Sequence, residues 1–334
     1  MTLSIGCVAA LFFAGGNLLQ GEPNGADSGP GVQISQQDGT LRVEIGGQLF
    51  TVYHYVDVPR PYFYPVLGPD ELSMTRKWPM EDTKDEEHDH PHHRGLWYAH
   101  GSVNGLDFWS EEKKFCKIVH DQFVKVQSGK EVGIIKSKDK WLDHDGSVVC
   151  TDVRTMRFYN LPGTERMFDF DITLQAQPDK PVVFGDSKEG AMATRLPETM
   201  RLTHKNGPGK GHIVMSTGLR DEETWGKRAD WCDYYGPVAG GANGPETLGV
   251  AIFDHPDNPR HPTTWHVRDY GLFAANPFGL HDFEKKPKGA GDMTIAAGQS
   301  VTFRYRFYYH RGDEKQGDVA AHYEKYAAEK LPPD

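Results

Sequence analysis

The segment Glu87–Arg94 reads Glu-His-Asp-His-Pro-His-His-Arg and sets His88, His90, His92 and His93 within six positions. Imidazole moves protons near neutral pH and also binds transition metals, so this density predicts chemistry. With an extended backbone, which Pro91 favours in His90, the side chains of His88, His90 and His92 project to one side. One chemistry is a divalent transition-metal site with His88, His90 and His92 as ligands. Another, preferred here, is metal-free: an acid–base His93 among groups that hold a ligand, needing no cofactor. A solvated acidic loop is the bland alternative, and it leaves Arg94, Trp97, His100 and Trp109 in the same stretch unexplained.

Three further constellations supply partners. Between Asp254 and His266, Pro256, Pro259 and Pro262 stiffen the chain and hold His255, Arg260, His261 and His266 in place, on the way to Asn276-Pro277-Phe278-Gly279. After the apolar run Val182–Phe184, the loop Gly185–Gly190 carries Lys188 beside Glu189, a carboxylate next to its charge partner, although surface Lys-Glu neighbours are common. Around Trp225 and Trp231, the cations Lys227 and Arg228 accompany two indoles, the combination that holds a sugar ring. Either indole taken alone reads as core. With Trp78, which follows Arg76 in the run Thr75–Met80, six of the seven Trp residues fall in His- or Arg-containing segments, which predicts a shared pocket.

Together these residues predict a carbohydrate-active protein, preferably an enzyme of epimerase, hydrolase or lyase type. Glu189 is the candidate base and one of His93, His255 or His266 the acid. Arg94, Lys188, Lys227, Arg228, Arg260, His261 and Asn276 would bind hydroxyls or a carboxylate, with Trp225 and Trp231 stacking on the ring. The rivals are a His-ligated metal-dependent oxidoreductase or hydrolase, and a glycan-binding module without catalysis.

The scaffold must bring distant segments together, and the bulk properties allow it. The chain has 334 residues, 37% of them hydrophobic, enough for a substantial core. Its formal charge is −10 without a Lys/Arg-rich block, which excludes the electrostatics of nucleic-acid binding. Residues 1–20 hold an apolar stretch and read as a secretory signal, with Cys7 only faintly like a lipoprotein box; residues 21–31 read as a linker. A periplasmic or secreted protein follows, and no other apolar run is long enough to span a bilayer. Cys116, Cys150 and Cys232 form neither a disulfide framework nor a zinc-finger spacing, though one bridge is open to them.

From 32 to 334 the pattern is that of one all-β sandwich. Leu41, Val43 and Ile45 alternate with polar residues, and Gly46-Gly47 turns the chain into an aromatic and β-branched run from Leu49 to Val58. Phe168, Phe170, Ile172, Leu174 and Ala176 share one face, as do Val301, Phe303, Tyr305, Phe307 and Tyr309. Shorter strands are expected at Gln122–Val126, Val132–Lys136, Val148–Tyr159, His212–Thr217 and Thr247–Phe253, and a helix only at Asp318–Lys330. Without βαβ alternation or a Gly-rich phosphate loop, a large antiparallel sandwich is the economical architecture.

The runs Asp89–Trp97, Gly185–Gly190, Trp225–Ala229, Asp254–Pro262 and Trp265–Phe278 resemble a bacterial family of unknown function often labelled "methane oxygenase PmoA". The resemblance spans roughly Leu41 to Tyr326 and carries no catalytic residues with it. A methane monooxygenase subunit of that name is a bundle of membrane-spanning helices, which the apolar runs of this chain do not supply. More loosely, a large sandwich with a His/Trp/Arg-rich face is similar to the galactose-mutarotase-like supersandwich, whose members often handle carbohydrates.

Overall fold

The computed structural model describes residues 1–2, 31–112, 115–204, 207–241 and 244–330, so the expected signal segment, Cys7 and nearly all of the linker lie outside the described residues. In chain order the strands begin with β1 (Val32–Gln37), β2 (Thr40–Ile45), β3 (Gln48–His54), β4 (Tyr62–Val66), β5 (Leu96–His100), β6 (Lys117–Gln127) and β7 (Val132–Leu142). They continue with β8 (Val148–Tyr159), β9 (Arg166–Ala176), β10 (Val182–Phe184), β11 (Gly190–Arg195), β12 (Thr203–His204), β13 (Gly207–Pro208) and β14 (His212–Met215). The last are β15 (Trp231–Val238), β16 (Glu246–Asp254), β17 (Trp265–Val267), β18 (Leu272–Ala275), β19 (Met293–Ile295) and β20 (Ser300–Arg311), with helices α1 (Leu280–Glu284) and α2 (Val319–Ala328).

Two eight-stranded antiparallel sheets build a large β-sandwich. The first runs β1-β2-β3-β4-β5-β11-β18-β17 and the second β14-β15-β16-β20-β9-β8-β7-β6. Alternation on β9 turns Phe168, Phe170, Ile172 and Leu174 inward, where Phe168 stacks on Phe158 at 5.6 Å and on Phe307 at 5.0 Å. Phe50 of β3 crosses from the first sheet and meets Phe158, Phe168 and Tyr309 edge-on at 6.0, 5.8 and 6.1 Å.

The other face of β9 is buried as well, where the sequence pattern suggests exposure. Arg306 of β20 donates to Asp169 at 2.6 Å and to Glu329 at 2.7 Å, and Tyr326 of α2 lies under its guanidinium at 4.5 Å. The helix thus covers charges that stay tolerable only because they are paired. Cys116, Cys150 and Cys232 are buried and free. Among the described residues no helix is long and apolar enough to cross a membrane.

Strand register prepares the floor of a site. His266 lies opposite Ala274, Ala274 opposite Ala193, and Ala193 opposite Trp97, which makes one cross-strand row over β17, β18, β11 and β5. The neighbouring row, Thr194, Leu96 and Phe63, faces the second sheet, since Phe63 meets Phe158 and Phe168 there. His266 and Trp97 therefore point away from the second sheet, and the two alanines between them leave room above the strands.

Candidate functional site

The histidine-rich segment belongs to the loop between β4 and β5, and two buried arginines decide its shape. Arg195 Nη2 donates to both carboxylate oxygens of Asp89 at 2.9 and 3.1 Å, and Arg76 Nη1 donates to the same carboxylate. Arg76 Nη2 also takes the carbonyls of Asp89 and His90 at 3.0 and 3.1 Å. His90 adopts φ 42°, and His93 N–H closes a turn onto its carbonyl at 3.0 Å. The extended backbone expected before Pro91 is therefore replaced by a turn, because satisfying two buried guanidinium groups outweighs the conformational preference of the residue before proline.

That turn redistributes the imidazoles. His88 stacks on Trp78 at 3.9 Å and bonds the Thr83 carbonyl at 2.7 Å, so it leaves the group and the set His88, His90 and His92 is not assembled. His90, His92 and His93 cluster instead, beside a cleft of about 530 Å³ over the alanine floor. Tyr270, His90, His93 and Trp97 form a ladder of near-parallel rings at 5.1, 4.7 and 5.3 Å. Gly95 must be glycine: at φ 57°, a Cβ would sit 2.1 Å from the Phe63 carbonyl oxygen.

The remaining walls are equally anchored. Buried Arg60 donates to the carbonyls of His92 at 3.0 Å and Trp109 at 2.5 Å, which joins the histidine loop to the loop after β5. There Asp107 accepts the backbone N–H groups of Trp109 and Ser110 at 2.8 and 3.0 Å. Across the cleft, His266 Nδ1 bonds the Lys188 carbonyl at 2.7 Å, and Asn276 Nδ2 donates to the carbonyls of Ser187 and Lys188 at 3.0 and 2.9 Å. These bonds fix the turn that presents Glu189. Gly101 packs against it so closely that a Cβ would lie 2.7 Å from Glu189 Cβ.

Partner atoms set the tautomers. His93 Nδ1 accepts from Arg195 Nη1 at 3.1 Å, so a neutral His93 carries its hydrogen on Nε2. His266 spends its Nδ1–H on a carbonyl, which leaves Nε2 as a bare acceptor. Burial, followed by the Arg195 charge, holds the His93 pKa well below its ordinary value. Burial also pushes His266 down to about 3, and burial with the Arg60 charge does the same to His92. The Glu189 carboxyl is raised by burial, against the opposing charge of Lys188. Burial disfavours ionised Asp89, but its bond to His90 and the charges of Arg195 and Arg76 outweigh this and hold it well below the usual carboxylate range. At neutral pH the cleft thus offers neutral imidazoles of opposite tautomer and one carboxylate of raised basicity.

Residues 40–324 match the model of a family described as "Family of unknown function (DUF6807)". The chain belongs to this family. No curated protein matches its sequence. Among solved structures, the DUF6807 chain is similar to the GalM/aldose epimerase homologue from C. elegans, with 7% identity, 84% of this chain and 100% of that chain covered, and a TM-score of 0.31. A galactose mutarotase related enzyme from Lactobacillus acidophilus shows 11% identity over 84% of this chain and 97% of that one, with a TM-score of 0.29. A Glycoside Hydrolase Family 97 enzyme from Pseudoalteromonas sp. strain K8, in complex with panose, shows 6% identity over 83% of this chain and 33% of that one, with a TM-score of 0.28.

In this DUF6807 chain the other sequence-selected residues divide. His93, Lys188, Glu189 and His266 line the cleft, and Asn276 stands behind it with its amide committed to the Ser187–Lys188 backbone. Arg94 is a strut, bidentate to Glu111 at 2.7–3.1 Å. Arg228 pairs with Glu284 at 2.6 Å, and Arg260 donates to the carbonyls of Pro277, Gly291 and Asp292. Lys227 is exposed and lines no part of the cleft. Trp225 touches His266 edge-on at 6.4 Å from an adjoining cavity, whereas Trp231 packs with Val214 and Phe253 in the cluster that contains Tyr326 of α2.

The proline-stiffened stretch is also split. His255 lies against Tyr326 at 5.0 Å, and His261 bridges Asp254 at 2.8 Å and Asp230 at 3.4 Å, neither of them lining the cleft. Only His266, inside β17, faces it. Of the Trp residues, Trp109 alone lines the cleft, with Trp97 one ring behind it. The structure adds Arg268 and Tyr270 to the lining. Both lie between β17 and β18 and not on a strand, so closeness in sequence to His266 is the local signal that marks them.

Proposed function

We propose that the cleft binds a carbohydrate and moves protons on it, as an epimerase, hydrolase or lyase working by acid–base chemistry, in the periplasm or outside the cell. The observation that carries this reading is the convergence of Glu189, His93 and His266 on one polar cleft with their protonation states set by named partners. Glu189 is the base and returns the proton when it acts as the acid; its raised pKa suits both halves of the exchange. His93 presents Nε2–H to the oxygen on which negative charge develops, fixed from behind by Arg195. His266 offers a bare Nε2 that orients a hydroxyl. Trp109 and Tyr270 supply ring faces, and Lys188 with Arg268 supplies positive charge for hydroxyls or a carboxylate.

Glu189→Gln tests the assignment, with chemical change followed by NMR on a panel of monosaccharides, oligosaccharides and keto-sugars and binding followed by calorimetry. Turnover is expected to fall by about 10²-fold or more, as for loss of a general base, while binding stays within a few-fold. Unchanged turnover removes Glu189 from the mechanism. Saturable sugar binding with no chemical change across the panel would favour a glycan-binding module instead.

A further inference from the structure

A second constellation lies outside the chemistry of the cleft, at the end of the second sheet. The register of β6 against β7 sets Lys117 opposite Leu142, which brings the residue before β6 alongside the residues after β7. Those residues are Cys116 on one side and Asp143 with His144 on the other. The Cys116 Sγ lies 3.8 Å from His144 Nδ1 and 3.7 Å from Nε2. One ligand atom from each of Cys116, Asp143 and His144 lies within 4.8 Å of the others, and among the described residues no other group of three such side chains converges in this way.

The spacing has a chemical reading. With a zinc–sulfur bond of about 2.3 Å and a zinc–nitrogen bond of about 2.05 Å, tetrahedral geometry puts sulfur and nitrogen about 3.6 Å apart. Both ring nitrogens stand close to that separation; a metal takes only one of them, and a turn of the exposed His144 ring aims that lone pair at an ion held beside Sγ. The turn carrying the two downstream ligands is tied down by Asp143 N–H to the Ser147 carbonyl at 2.9 Å and Gly146 N–H to the Asp143 carbonyl at 3.0 Å. His144 is exposed and Asp143 partly so, which gives an ion a route in, while Cys116 is buried.

We propose that Cys116, Asp143 and His144 bind Zn²⁺ or another borderline-soft divalent ion, with solvent completing the coordination. One thiolate, one imidazole and one carboxylate match such an ion better than Mg²⁺ or Ca²⁺, which take oxygen ligands. The site reaches the cleft through the backbone: Cys116 N–H donates to the Asp107 carbonyl at 2.6 Å, and Asp107 caps the Trp109–Ser110 wall. A bound ion would clip that wall to the β7–β8 turn. It stands apart from Glu189, His93 and His266, so its fate does not depend on the proposed sugar chemistry.

The test uses the full chain without an affinity tag, stripped with chelator and titrated with Co²⁺ and then Zn²⁺. One Co²⁺ per chain with a thiolate-to-cobalt charge-transfer band, displaced by Zn²⁺, is expected. Cys116→Ser removes the band, and Asp143→Asn and His144→Ala each weaken binding at least tenfold. His144 is exposed, so His144→Ala keeps the test open if the Cys116 variant does not fold. Absence of the band, or a band unchanged in His144→Ala, overturns the proposal.

Discussion

Replacing Asp89 with Asn removes the one carboxylate that both buried arginines share at the centre of the histidine loop. The side chains of Arg76 and Arg195 are 0% exposed and that of Asp89 is 27% exposed. Stripping a partner from a fully buried ion pair costs about 3–5 kcal/mol; water reaching the Asp89 side moves the expectation to about 2–3 kcal/mol. In a domain of about 300 residues that lowers the thermal midpoint by about 3–5 °C. His93 loses the Arg195 orientation that sets its tautomer, so kcat/KM of the proposed sugar chemistry should fall at least tenfold while the sandwich stays folded. The pH dependence has a definite sign. A carboxylate whose folded pKa is depressed stabilises above its unfolded value of about 3.9, and that contribution disappears as pH falls through the folded value. Thermal and urea unfolding of both proteins, from neutral pH down to about 3.5, should show the gap constant near pH 7 and beginning to narrow below about pH 4. Equal midpoints at pH 7 together with unchanged kcat/KM would refute the claim that Asp89 organises the cleft.

Burial raises Glu189, so the acid limb of kcat/KM should lie above the ordinary glutamate value of about 4.3, with no inflection from His93 or His266 between about pH 5 and 8. A step near pH 6.5 that vanishes in His93→Asn would overturn the neutral-imidazole assignment. Arg268 contacts Tyr270 and Trp225 through cation–π geometry and forms no ion pair among the described residues. Arg268→Gln should therefore raise KM for anionic sugars at least fivefold more than for neutral ones; equal changes would mean that it acts by packing alone. In the second sheet, burial opposes protonation of His310 but Asp233, 3.1 Å away, outweighs it and raises the pKa. Its stabilising contribution is fully present below about pH 6.5 and is lost as pH rises through the folded value, so His310→Gln should flatten urea midpoints across that window. Parallel curves for the two proteins would show that the pair contributes nothing.

Strands that set an apolar face against a polar one were legible because alternation survives in their composition, even where α2 covers the polar face of β9. Val148–Tyr159 has the expected bounds, and β9 and β20 extend the predicted faces by only a residue or two. The strands that make the site floor were not legible. Leu96–His100, Gly190–Arg195 and Leu272–Ala275 are buried on both faces, one turned to the second sheet and the other to the cleft loops, so period two disappears from their sequences. Arg195 illustrates the problem: nothing local marks it as the shared partner of Asp89 and His93, which come from a loop about a hundred positions earlier.

Residue types and spacing were sufficient to read the all-β class and to select His93, Glu189 and His266, which the fold brings to one cleft. Which imidazoles meet was a tertiary matter, since a single turn at His90 sends His88 to Trp78 and brings His93 under Arg195. The separation of His255 and His261 from His266 has the same origin, with α2 on one side of the stretch and the cleft on the other. Chemistry is carried by residue identity, but tautomer, pKa and company depend on burial and on contacts between segments far apart in the chain, and those exist only once the sheets have packed.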